Sequence, residues 1–185
     1  LVSVGGWTLS NNFPGIAADA VKRQTFANSC VNLLQNYNFD GIDLDWEYPG
    51  FAEHNGTPAD KVNFTLLLQA VRTAIDTYGT SVGKQFLLTA AVSSSPSNAA
   101  NVEWNNVTPL LDMINLMSYD YFGAWDPVSN HNSPLYAPAV GDPAFNLNAG
   151  FLMLTNTYSV PANKINIGVA FYGRSFRQCT GLHLP

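Results

Sequence analysis

The sequence predicts an α/β protein built on a parallel sheet, and three observations carry that expectation. Short apolar runs alternate with stretches of helical periodicity throughout the 185 residues. A strand followed by a helix, repeated, means parallel βαβ units. The composition, 46% hydrophobic and only 11% charged, is that of a chain with substantial buried surface. Polar and aromatic residues also gather just after the apolar runs, at what would be one end of the sheet.

In order, the expected strands are Leu1 to Val4, Phe39 to Asp45, Phe86 to Val92, Ile114 to Tyr119 and Ile165 to Phe171. The helices between them fall at residues 16–37, 59–78, 104–111 and 144–158. Helical periodicity is clearest in Phe26, Cys30, Leu33 and Leu34 and in Val62, Leu66, Ala70 and Ile75, which read as core stripes. Pro14, Pro58 and Pro143 stand near helix starts, where a missing N–H costs little. Gly150 weakens the fourth helix. The loop segments carry Gly5-Gly6-Trp7, Trp46-Glu47-Tyr48, residues 121–143 with Trp125, and Phe171 to Arg174. The carboxyl end of parallel strands is where α/β proteins build active sites.

The most informative run is Asp40 to Glu47, in which Asp43, Asp45 and Glu47 occupy every second position. On a strand that spacing places all three carboxyls on one face. Such neighbours lie roughly 6.5 Å apart, and at an effective dielectric of ~20 each ionised pair repels by about 2.5 kcal/mol. That corresponds to roughly two pK units, so a row sharing protons is expected, its last member pushed toward neutrality to serve as a general acid. An acidic outer face on an edge strand fits less well, because Asp is depleted in strands and Ile42, Leu44 and Trp46 imply a buried opposite face. A calcium loop would need Gly at its sixth position and Glu at its twelfth, and Gly41 precedes both later aspartates.

A net charge of −5 and a pI near 4.9 argue against nucleic acid or an anionic membrane as partner. A neutral ligand and the 12% aromatic content suit each other. No apolar stretch approaches the ~18 residues of a membrane span. Cys30 and Cys179 read as free thiols rather than a pair, and Asn55, Asn63 and Asn106 each open an N-x-[ST] sequon. His54, His131 and His183 have no metal-ligand spacing and are expected in loops; Trp104 is expected in the core or at a helix cap. No cofactor signature is present, so neither metal nor cofactor is expected.

Taken together these motifs resemble the family 18 glycoside hydrolases, the chitinase family. Asp40 to Glu47 is similar to its D-G-x-D-x-D-x-E signature, Ser3-Val4-Gly5-Gly6 to S-x-G-G on its third barrel strand, Met117-Ser118-Tyr119-Asp120 to M-x-Y-D on its sixth, and Gly168 to Phe176 to its seventh-strand segment. The resemblance implies a (β/α)8 TIM barrel, present here in part as about five βα units over residues 1–185, with an insertion starting near 177–185. No tryptophan after Arg174 matches the one the family carries on its eighth strand, so the chain reads as a fragment of a longer enzyme.

The resemblance also implies hydrolysis of β-1,4-linked N-acetylglucosamine polymers, chitin above all, by a retaining, substrate-assisted route. Glu47 would protonate the leaving oxygen, Asp45 would hold the acetamido N–H, and Asp43 would sit behind and share a proton. Tyr119 and Asp120 would position the acetamido group. Trp7 and Trp125 would be platforms for sugar rings, Tyr172 and Arg174 would line the cleaved sugar's site, and Tyr48 would pack beside the acid. Secretion is implied, and oligomeric state is left open. The rivals are a chitin-binding lectin-like relative, which would lack the terminal acid that Glu47 supplies, and an endo-β-N-acetylglucosaminidase acting on N-glycans.

Overall fold

The computed structural model describes residues 1–182 and 184. His183 lies outside the described residues, as does part of the segment 177–185. Five parallel strands form one sheet in chain order: β1 Val2–Gly5, β2 Gly41–Asp45, β3 Leu87–Ser93, β4 Met113–Met117 and β5 Ile165–Ile167. The connections contain helices α1 Phe13–Ala17, α2 Ala20–Tyr37, α3 Asp60–Val82, α4 Pro96–Ala99, α5 Trp104–Val107 and α6 Leu147–Leu152. The result is a partial α/β barrel. No helix among the described residues is long and apolar enough to cross a membrane.

The expected elements are found, with altered bounds that have local causes. The first helix divides because Asp19 caps α2, its carboxylate accepting the Val21 and Lys22 N–H groups. α3 runs past residue 78 to Val82 and stops where Gly83 takes the left-handed conformation. Only Trp104–Val107 of the third expected helix forms. In the fourth, α6 gives way to a π-helical stretch at Met153–Thr157. Gly150 is there for packing: a Cβ on it would lie 3.0 Å from the Ser94 Cβ. β5 ends at Ile167, and Phe171, expected in that strand, is fully exposed.

The core lies between the helices and the sheet. Ile42 and Leu44 of β2 and Trp46 just after it are completely or nearly completely buried, Trp46 stacking on Phe13 and meeting Phe64 edge-on. α3 contributes Phe64, Leu67, Leu68, Val71 and Ile75, a stripe of the i, i+3, i+4, i+7 kind. Val62 and Leu66, expected in that stripe, are instead exposed; Leu66 sits ~100° around the helix from Leu67, off the packing face. Cys30 is buried and free, and Cys179 is exposed and free. Trp104 is buried, its indole N–H donating to the Ala99 carbonyl at 2.9 Å.

Gly41 sits where the acid-row segment packs tightly against β3. It pairs with Leu87 across the sheet, and a Cβ there would fall 2.2 Å from the Leu87 carbonyl oxygen. Gly41→Ala should therefore cost about 1–3 kcal/mol, the usual penalty for overpacking. Urea unfolding measures it, and an unchanged midpoint would contradict the register.

Candidate active site

Each of the five strands contributes one residue to a polar cluster, Asn115 pairing with Ala91 and reaching back one pleat to Asp43. Ser3 stands opposite Asp43, Asp43 opposite Thr89, and Asn115 opposite Asn166. Asp43, nine-tenths buried, is the centre of that cluster. Its Oδ2 accepts from Ser3 Oγ at 2.7 Å, and its Oδ1 from Thr89 Oγ1 at 2.5 Å and Asn115 Nδ2 at 2.9 Å. Asn166 Nδ2 donates in turn to Asn115 Oδ1 at 2.9 Å. Three donors on one carboxylate are what a buried anion requires.

Asp45 closes β2 one step nearer the strand ends. Its Oδ1 is buried and has no hydrogen-bond partner among the described residues. Burial first, then the charges of Glu47 and Asp43, push its carboxyl up to about 7. Gly5 and Gly6, both with positive φ, let β1's end press against it: the Gly6 N–H donates to the Asp45 carbonyl at 2.8 Å, and a Cβ on Gly5 would lie 2.1 Å from that oxygen.

Glu47 lies just beyond the strand. Ser10, fully buried, takes its backbone N–H at 2.8 Å and donates to the Gly6 carbonyl at 2.9 Å. Burial raises the Glu47 pKa and nearby Asp120 raises it further, while a hydrogen bond from the Tyr48 hydroxyl, the neighbouring His54 and the Trp7 backbone N–H pull it down. The expected proton sharing thus has a different emphasis: Asp45, the middle of the row, is held near neutrality. Trp7 is half exposed and packs on His54, Phe51 and Tyr48, with ring centroids 4.4, 5.7 and 6.5 Å away. His54, expected in a loop, lies in the connection between β2 and α3 and is buried in its short 3-10 turn Ala52–His54. His131 is in an exposed loop.

A second group assembles after β4 and β5. Burial and the charges of Asp45, Glu47, Asp120 and Asp43 raise the Tyr119 pKa, which places its hydroxyl in the field of the acid row. Gly168 makes room for that ring, since a Cβ on it would meet Tyr119 Cε1 at 2.7 Å. Asp120, with φ of 57°, turns its carboxylate to Arg174, whose Nε and Nη2 donate to it at 2.9 and 2.5 Å. The Arg174 guanidinium lies 4.8 Å from the Trp125 ring centroid and 5.6 Å from that of Tyr172, a cation–π arrangement. Tyr172 is pushed up to about 12 by burial and by its hydrogen bond to Asp120. Among the described residues no cluster of three or more His, Cys, Asp or Glu is arranged to hold a metal ion.

Nine of the ten residues singled out in the sequence therefore lie at or beyond the carboxyl ends of the strands, with Asp43 one pleat deeper in β2. Ser3 was quoted only as part of a motif, and Ser10, His54, Thr89, Asn115 and Asn166 were not singled out as site residues. Three of them had left a trace: Thr89, Asn115 and Asn166 each interrupt an otherwise apolar strand. Ser10 and His54 had left none.

Comparison with known proteins gives the chain's family. The family model for glycosyl hydrolases family 18 matches residues 1–182. Chitinase A1 of Niallia circulans is 47% identical over 189 residues, an alignment covering 97% of this chain and 27% of that protein. Chitinase 1 of Aphanocladium album is 42% identical, covering 100% of this chain and 43% of its own length. The chain thus spans less than half of these relatives. The solved structure of chitinase ChiA74 from Bacillus thuringiensis superposes with a TM-score of 0.94 at 44% identity, covering 100% of this chain and 31% of that one.

The raised Asp45 pKa makes a stability prediction. Asp45 binds its proton more tightly folded than unfolded, so its contribution is complete below its unfolded value of 3.8 and is lost as pH rises through about 7. Asp45→Asn, which carries no charge, should gain stability relative to the parent between about pH 4 and about pH 8. Equal differences in urea unfolding at the two pH values would contradict the assignment.

Proposed function

The chain belongs to the glycosyl hydrolases family 18, and from that premise we propose that it is the acid-bearing part of a chitinase, cleaving β-1,4-linked N-acetylglucosamine chains. The observation that carries the reading is the Asp45 Oδ1, buried without a donor among the described residues and beside a Glu47 whose pKa is raised. An unsatisfied buried acceptor costs about 1–3 kcal/mol. The acetamido N–H of an N-acetylated sugar is the group that would relieve it.

The mechanism follows from that placement. Glu47, its pKa raised by burial, gives its proton to the glycosidic oxygen as the bond to the anomeric carbon breaks. The acetamido carbonyl oxygen attacks the same carbon from the other side, forming a cyclic oxazolinium-like ion. Held in place, such an internal nucleophile gains the advantage of an oriented reaction. Asp45 takes the acetamido N–H and faces the developing positive charge, with Asp43 fixed behind it. Tyr119 holds the acetamido oxygen, and Asp120 acts on Glu47 through its charge and on the site through Arg174 and Tyr172. Glu47, now a carboxylate, takes a proton from water, which opens the ring with net retention.

Trp7 and Trp125, 50% and 59% exposed, offer faces on which sugar rings would stack. A solved structure of the Ostrinia furnacalis Group II chitinase catalytic domain 2 holds a penta-N-acetylchitooctaose and matches this chain with a TM-score of 0.89 at 32% identity, which supports the ligand class. A polymer of that kind is met outside the cell, where we place the enzyme. The presence of Glu47 weighs against a purely lectin-like role.

In the intact enzyme, Glu47→Gln should lower turnover of N-acetylglucosamine oligomers by about 10²–10⁴-fold while leaving their binding in place. Near-normal turnover would remove Glu47 from the acid role. Oligomers stripped of their N-acetyl groups should not be cleaved; equal cleavage would rule out the internal nucleophile.

A further inference from the structure

We propose that His54 is a positioning residue that ties the acid Glu47 and the aromatic face of Trp7 into one unit. The inference deepens the hydrolase reading above and rests on it.

Four observations converge on this histidine. It is 9% exposed, although it sits in a short turn between a strand and a helix. Its Nδ1 lies 2.5 Å from the carbonyl oxygen of Glu47. A carbonyl can only accept, so the proton is on Nδ1 and the ring donates to the acid's own backbone. The imidazole packs edge-on against Trp7, centroids 4.4 Å apart, and against Phe51 at 5.4 Å. The Trp7 backbone N–H in turn hydrogen-bonds Glu47, closing a ring of contacts among the three residues.

The turn that delivers His54 is itself braced. The Phe51 carbonyl accepts from both the His54 and Gly56 N–H groups, at 3.0 and 2.9 Å. Asp60, buried at the start of α3, accepts from the Gly50 and Thr57 N–H groups at 3.1 and 3.0 Å. Asn55 takes the left-handed conformation that ends the turn. A sugar stacked on the free face of Trp7 is thereby set in register with the proton that Glu47 carries.

The charged and titratable groups facing Glu47 are Asp45 from β2, Tyr48 and His54 from the segment after it, and Tyr119 and Asp120 from the end of β4. Among them His54 lowers the Glu47 pKa, so its removal has an electrostatic consequence that loss of packing alone lacks.

Two variants of the intact enzyme separate the roles. His54→Phe keeps an aromatic ring against Trp7 and loses the donor. With N-acetylglucosamine oligomers, kcat should fall on the order of tenfold with KM nearly unchanged. Carbon-13 NMR should show the Glu47 carboxyl titrating at higher pH. His54→Asn keeps an N–H near the Nδ1 position and loses the ring, so it should raise KM and spare more of kcat than His54→Phe. Wild-type kcat, KM and Glu47 titration in His54→Phe would overturn the proposal, as would parallel losses in both variants that track only their folded fraction. If the parent enzyme cleaves no such oligomer, the hydrolase reading fails. The Glu47 titration then decides alone: a rise in His54→Phe upholds the tie, and no change overturns it.

Discussion

A carboxylate held in the middle of a parallel sheet costs several kcal/mol unless donors surround it, and this site depends on how that constraint is met at Asp43. The five strands each contribute one polar residue to this cluster, Ser3, Asp43 and Thr89 in direct register and Asn115 and Asn166 one pleat further along, while Ile42, Leu44, Leu88, Ala90, Ile114 and Leu116 beside them are buried in the core. Three of the four neighbours donate to Asp43 directly, and Asn166 supports Asn115. A slip of one residue between any two strands would turn this cluster toward the core. The hydrogen bonds and the hydrophobic pattern thus select the same register.

With Asp43 fixed, the two-residue strand period carries Asp45 and Glu47 outward in sequence. Each step meets a different environment. Asp43 has three donors, Asp45 has a buried oxygen with none among the described residues, and Glu47 has a Tyr, a His and a backbone N–H around it. The row is therefore graded by its surroundings. The cost falls on Asp45, whose burial disfavours the charge that the proposed chemistry calls on. Strain of this kind at a site is stability exchanged for function.

Much of this was legible in the sequence because strand periodicity is strict. Alternation alone placed the three acids on one face, and the strand-then-helix pattern gave the parallel topology. Glycines at Gly5 and Gly41 mark close backbone approaches, which only the register explains. What sequence could not give was partnership across long separations. Asn115 reaches Asp43 from 72 residues away, and Ser10 reaches Glu47 from 37. Helix faces were the weaker part: Val62 and Leu66 have the right residue types but lie off the packing side of α3. His54 was missed for a related reason, since a lone histidine in a Gly- and Asn-bearing segment gives no sign that the turn folds back onto the acid.

In the proposed mechanism the sheet anchors Asp43, burial holds Asp45 ready for an N–H donor, and the Ser10, Tyr48 and His54 contacts aim Glu47. The account's central claim is that the substrate's own acetamido oxygen is the nucleophile, with Glu47 as acid and then base. Proton NMR of the reducing sugar, recorded on product before it mutarotates, tests this most directly in the intact enzyme. The account predicts that the β-anomer is released first. The α-anomer would mean direct attack by water, and would contradict it.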